Sequence, residues 1–170
     1  NLASDLFAGK RLSRSERSIA LSAARSFLFN HILEDRVTNG TWDSLLPGDC
    51  ANLDGSSSFF TVDGVNAELQ RRCDVLDIHP TGALWGTGAL QSTGDVAEQE
   101  KSIGNCFPEF CDGLANARIQ QTRRGLRLTV RDFTWEQNSD TLWLRFYLTR
   151  GAFATAVLRE IANYEELDTI

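Results

Sequence analysis

Apolar positions change period several times along this chain, and each change marks an element. Leu142, Leu144, Phe146 and Leu148 recur every second residue against Trp143, Arg145, Tyr147 and Thr149, the signature of a half-buried strand. From Gly151 the period becomes helical: Ala154, Val157, Leu158 and Ile161 share one stripe, and Thr149 or Gly151 can start the helix. That start places Phe153 in its first turn. Leu126, Leu128 and Val130 alternate with Arg127, Thr129 and Arg131, and Asn138-Ser139-Asp140 is turn chemistry. Residues 126–136 and 141–149 are therefore expected to pair as an antiparallel hairpin.

The amino-terminal part reads mainly as helix. Residues 2–9 suit a helix end stopped by Gly9, and Ser13-Arg14-Ser15-Glu16 fits a capping box opening a long helix to about Val37. Leu21, Leu28 and Ile32 line one face of it, with Arg25 between them. Asn39-Gly40 marks a turn. Phe59, Phe60 and Val62 suggest a short strand, and Asn66 can cap a helix carrying Leu69 and Cys73. Residues 77–94, with four glycines, read as a long loop, followed by a helix near Asp95 that buries Val96 and Ile103. Phe107-Pro108-Glu109-Phe110 between Cys106 and Cys111 reads as a compact apolar turn. Helices and antiparallel strands in this order predict an α+β fold.

With 170 residues, 42% of them hydrophobic, the chain can bury one good core or two small ones. No run approaches the roughly 20 apolar residues of a membrane span, and no charged-then-apolar leader opens the sequence, so a soluble cytoplasmic protein is expected. Four cysteines without a secretory signal are expected to be reduced. Their spacing lacks a second CxxC pair, so no metal is expected. Gly86-Thr87-Gly88 lacks the strand, helix and third glycine of a dinucleotide fingerprint.

The net charge of −6 argues against a polyanionic partner until its distribution is considered. Residues 39–117 carry three basic and twelve acidic side chains, whereas residues 118–150 carry seven and three. Arg127, Arg131 and Arg145, with Arg123, Arg124, Trp143 and Tyr147 nearby, form a pattern suited to phosphates and unstacked bases, or to a solvated edge. Arg25, on an apolar stripe, requires a carboxylate, carbonyls or a phosphate. Phe153 beside free backbone N–H groups at a helix start offers a ring contact and an anion contact together, the two features of a nucleotide.

Three segments in order carry a family resemblance. Arg145-Phe146, Gly151-Ala152-Phe153-Ala154-Thr155 and Leu158-Arg159-Glu160 resemble the carboxy-terminal signature of TruD-type tRNA pseudouridine synthases. Leu21-Ser22-Ala23-Ala24-Arg25-Ser26 with Leu28-Phe29-Asn30, and Asp77-Ile78-His79-Pro80-Thr81-Gly82 with Leu84-Trp85-Gly86, resemble that family's insertion-domain motifs. The resemblance implies residues 1–13 as a return from the catalytic domain, 14–127 as the insertion domain, and 128–170 as the end of the catalytic domain. It implies isomerisation of a uridine, uridine 13 of the D arm in the family, with tRNA as partner and no cofactor. Phe153 corresponds to the residue packed against the target nucleotide. The nucleophilic aspartate is expected in an amino-terminal half that this sequence does not include, so no catalytic residue is assigned, and Arg25, Arg127, Arg131 and Arg145 are candidate RNA contacts. Other synthase families carry Gly-Thr-Tyr-Ile-Arg at the comparable turn, where Thr155 stands here in place of the arginine. The alternative is a non-catalytic RNA-binding module.

Overall fold

The computed structural model describes residues 2–149 and 152–162. It is α+β, and the chain divides into two compact units, residues 1–127 and 128–170. In the first unit, α1 (Leu2–Phe7) ends before Gly9, whose φ of 84° suits a residue without Cβ. The expected capping box opens α2 (Arg14–Thr38): Ser13 Oγ accepts from the Glu16 N–H, and the Glu16 carboxylate accepts from the Ser13 N–H at 2.8 Å. Ala20, Ala24, Leu28 and Ile32 are the face that α2 buries.

Strands β1 (Cys50–Leu53) and β2 (Phe59–Thr61) form a hairpin, and α3 (Ala67–Asp74) follows with Asn66 Oδ1 capping the Leu69 N–H at 2.8 Å. The chain then makes β3 (Ile78–Leu84), a strand buried along nearly all its length, where the glycine content had suggested a loop. Then come α4 (Gly94–Cys106), α5 (Pro108–Asn116) and β4 (Thr122–Gly125). The four strands are antiparallel neighbours in the order β2-β1-β3-β4. The apolar turn expected at 107–110 is the start of α5, because Pro108 occupies the first helical turn, where its missing N–H costs nothing.

Pro80 and Gly82 are tolerated inside β3 for separate reasons. The Pro80 carbonyl accepts from the Leu126 N–H, and its missing donor faces the same side, where the ladder to β4 has ended at Thr81–Gly125. Gly82 leaves room that Ile32, Leu126 and the Phe29 ring fill; all three atoms lie 3.1–3.2 Å from where a Cβ would stand.

A buried ion pair fixes α4 to this sheet. The Glu100 carboxylate, 1% exposed, accepts from the Ala83 N–H at 3.0 Å, from Ser92 Oγ at 2.6 Å and from Arg123 Nη1 at 2.9 Å. Arg123 also donates to Thr81 Oγ1 and the Thr81 carbonyl, and Thr81 Oγ1 donates to the Cys50 carbonyl at 2.6 Å. One network thus joins α4, β4, β3 and β1. Trp85 lies between two apolar clusters, one of Ala24, Leu28, Phe110 and Leu114, the other of Phe29, Ile32, Ala83 and Leu126.

The second unit holds β5 (Arg131–Asn138) and β6 (Thr141–Tyr147), paired antiparallel across the two-residue turn Ser139-Asp140, and α6 (Ala154–Ile161). The hairpin begins later than the alternation from Leu126 suggested. Leu126 is instead a core residue of the first unit, and a bulge between Arg131 and Thr134, with Asp132 at φ 50°, takes up one residue. The expected glycine turn at Gly151 lies outside the described residues.

Gly86 sits against backbone: a Cβ there would collide with the Ile119 carbonyl oxygen and would stand 2.6 Å from the Gln120 carbonyl carbon, whereas one on Gly64 meets nothing within 4 Å. Backbone cannot rotate aside as a side chain can, so Gly86→Ala should destabilise by about 3 kcal/mol, the upper part of the overpacking range. Gly64→Ala should stay within about 0.5 kcal/mol. Urea unfolding of the two variants checks this.

Candidate nucleic-acid interface

The arginines of the first unit differ in what holds them. Arg25 extends from α2 and donates from Nε to the Trp85 carbonyl at 3.2 Å, and from Nη2 to the Leu84 and Gln120 carbonyls at 3.2 and 3.1 Å and to Thr122 Oγ1 at 2.6 Å. It closes the end of β3 onto the approach to β4. Arg127 does the same at the other end of β3: Nη1 donates to the Asp43 carbonyl at 3.0 Å, and Nη2 donates to the carbonyls of Cys73 at 2.5 Å and Ile78 at 2.9 Å. Its Nε donates to His79 Nδ1 at 2.9 Å, which assigns the ring proton to Nε2, where it donates to Asp54 Oδ1 at 2.9 Å. His79, within a stretch expected to be a loop, anchors a strand.

Arg36 and Asp49 are an interior pair, 1% and 0% exposed, with a contact of 2.8 Å. The remaining Arg36 donors reach the Thr41 and Ser44 carbonyls, and Asp49 Oδ2 also accepts from the Leu46 N–H. Arg123, grouped by sequence with the basic surface, is the buried partner of Glu100.

Arg124 is of another kind. Thr122 and Arg124 are two residues apart on β4, so they share the face turned to α2, while Arg123 points the opposite way. Its guanidinium lies 5.1 Å from the centre of the Phe29 ring, and Nη1 donates to Ser26 Oγ at 3.3 Å. Burial pulls the Arg124 guanidinium below its ordinary pKa. Burial does the same to Arg25, and the neighbouring Arg124 charge adds to it. Nothing in the sequence separated Arg124 from Arg123, because only the pairing register decides which of two adjacent strand residues is buried.

In the second unit the register sets Arg131 opposite Tyr147 and Thr134 opposite Arg145, so Arg131, Arg145, Trp143 and Tyr147 occupy one face of the hairpin. Trp143 and Tyr147 are 65% and 66% exposed. The other face carries Phe133, Trp135, Leu142, Leu144 and Phe146, with the Phe133 and Phe146 rings stacked at 6.0 Å. The expected alternation is present, but Leu142 is exposed rather than half-buried, and Trp135 on the same face is exposed too. Arg127 is not part of this surface. Phe153 stands at the N-cap of α6, one position before the first turn expected for it, and is 74% exposed, with no side-chain cap at this helix start. Val157 is the residue of α6 that is buried.

A solved structure assigned to tRNA pseudouridine synthase D (TruD) from Methanosarcina mazei has the same fold, with a TM-score of 0.59 over 80% of this chain and 36% of that one, at 22% identity. The family model for tRNA pseudouridine synthase D (TruD) matches residues 6–161, and the chain belongs to that family. Among curated relatives, each named tRNA pseudouridine synthase D, the Aeromonas hydrophila protein is 44% identical over 164 residues, which are 96% of this chain and 47% of that protein. The Methylococcus capsulatus protein is 39% identical over 158 residues (92% and 44%), and the Pseudomonas putida protein 42% over 151 (88% and 43%). The chain spans about half the length of these relatives.

Arg127 and Arg145 should differ sharply when truncated. Arg127→Gln strands three carbonyls and the His79 ring and should cost about 2–4 kcal/mol of unfolding free energy. Arg145→Gln, on the exposed hairpin face, should cost less than about 0.5 kcal/mol. Denaturant midpoints of the two variants measure the contrast.

Proposed function

We propose that this chain is the insertion and carboxy-terminal part of a tRNA pseudouridine synthase that isomerises one uridine of tRNA, uridine 13 of the D arm. The family match over residues 6–161 supports the activity, and the exposure of Phe153 at the start of α6 carries the assignment of a role to this chain. Residues 14–127 form the insertion domain, and residues 1–13 and 128–170 belong to the catalytic domain. The enzyme works in the cytoplasm on tRNA, without metal or cofactor.

The reaction breaks the bond between ribose C1′ and uracil N1 and joins C1′ to uracil C5; the C5 proton is lost and N1 gains one. The uridine must leave the stack to expose these atoms. In this reading Phe153 stacks on the nucleotide, a contact worth about 1–3 kcal/mol per base. The start of α6, which no side chain caps, offers backbone N–H donors to a phosphate. Arg131 and Arg145, with Trp143 and Tyr147, line RNA along the hairpin. Arg25 and Arg127 act on RNA indirectly, by holding the two ends of β3. The aspartate that attacks the sugar lies in the amino-terminal half of the protein, outside this sequence.

The chain by itself should form no pseudouridine on an unmodified tRNA transcript, and should do so when produced in one polypeptide with the amino-terminal half. Chemical scoring of pseudouridine decides this; product from the 170-residue chain alone would place the nucleophile within it, and none from the joined protein would favour a non-catalytic RNA-binding module. In the joined protein, Phe153→Ala should leave the melting temperature nearly unchanged and slow single-turnover conversion by at least about tenfold. A core phenylalanine would show the reverse, losing about 3–5 kcal/mol of stability while the folded fraction reacts normally.

A further inference from the structure

A partly buried guanidinium needs a compensating group, because desolvation of an uncompensated charge is costly. In the first unit Arg36 has Asp49, Arg123 has Glu100, and Arg127 has three carbonyls and a neutral imidazole. Arg25 has the Trp85, Leu84 and Gln120 carbonyls, and Arg124 is the exception. It neighbours Arg25 on the side of β4 that faces α2, its charge adds to the burial that lowers the Arg25 pKa, and neither arginine pairs with a carboxylate among the described residues.

Arg25 at least has four hydrogen bonds. Arg124 has one, to a neutral hydroxyl, and so retains most of its five donors. Its position is nonetheless fixed. Gly82 is its partner across the ladder and has no side chain, so the Phe29 ring fills that space and provides the surface on which the guanidinium rests. An exposed guanidinium placed over a ring, with a hydroxyl beside it and a second cation near it, is a preformed receptor for a tetrahedral oxyanion.

We propose that Arg124 and Ser26, backed by the charge of Arg25, bind one phosphate of the tRNA backbone. This rests on the tRNA reading above and adds to it a contact made by the insertion domain, at residues that neither the hairpin nor Phe153 includes. The contact positions the RNA without reading its sequence, as phosphate contacts do. Ser26 and Arg25 are adjacent on α2, so the two sides of the site move as one body.

The test compares Arg124→Gln, Ser26→Glu and Arg71→Gln in the whole chain, the last removing an equal charge from a surface arginine paired with Glu68. Binding of an unmodified tRNA transcript is measured over a range of salt concentrations, and melting is measured with millimolar pyrophosphate against sodium chloride of equal ionic strength. Arg124→Gln should weaken tRNA binding by about fivefold to tenfold, lower the salt slope by about 1 and abolish the pyrophosphate-dependent rise in melting temperature. Ser26→Glu should do the same by supplying the counter-charge internally, without loss of folding, and Arg71→Gln should match wild type. Wild-type tRNA affinity in Arg124→Gln overturns the site. If the wild-type chain binds no transcript, the tRNA reading fails and pyrophosphate decides alone: a shift lost in Arg124→Gln upholds the anion site, and a shift that persists or never occurs overturns it.

Discussion

The first unit depends on a carboxylate that water cannot reach. Arg123, Ser92 and the Ala83 N–H hold Glu100 in the interior, and breaking such a pair from one side costs about 3–5 kcal/mol. Because the three partners come from β4, the segment before α4 and β3, the requirement is geometric as well as electrostatic. Helix α4 has one position at which its glutamate is satisfied, and β4 must pair with β3 in the register that turns Arg123 inward. That register turns Arg124 outward, so the solvation needs of Glu100 determine which arginine is left to face α2.

The same economy of charge explains how a chain of net charge −6 offers surfaces suited to a polyanion. Its acidic middle is partly used internally: Asp49 holds Arg36, Asp54 holds His79 and Asp77 holds Arg72. Arginines with interior roles lie at the ends and flank of β3, where their donors close carbonyls that no strand covers. Among the outward arginines, Arg124 in the first unit and Arg145 in the second each have an aromatic ring against or beside them. A count of charges averages the two uses of arginine, and only burial separates them.

The sequence made the local devices legible. The capping box at Ser13, the Asn66 cap, the stop at Gly9 and the alternation of β6 each depend on residues within a few positions, and each is present. Strand β3 was not legible, since His79, Pro80, Thr81 and Gly82 look like loop residues until Asp54, Arg127, Leu126 and Phe29 arrive from elsewhere in the chain to satisfy or cover them. Pro108 gave the same ambiguity at closer range, because a proline that ends one helix can begin the next. At the candidate interface, the exposure of Phe153 followed from an apolar stripe that the other residues of α6 already supplied. The arginines did not sort themselves, because whether a guanidinium meets a carbonyl, a carboxylate or solvent depends on the register of β4 against β3.

Trp85 has a kinetic consequence. Its ring packs against two of the apolar clusters of the first unit and lies against Gly104, where a Cβ would stand 2.5 and 2.6 Å from two of its ring atoms. Neither cluster can open fully without exposing this one large side chain, so the free energy of opening is shared between the helices α1 and α5 on one side and the sheet on the other. Amide hydrogens on both sides would then exchange with solvent through a common opening event rather than as separate foldons, with Trp85 as the hinge pin of that cooperativity.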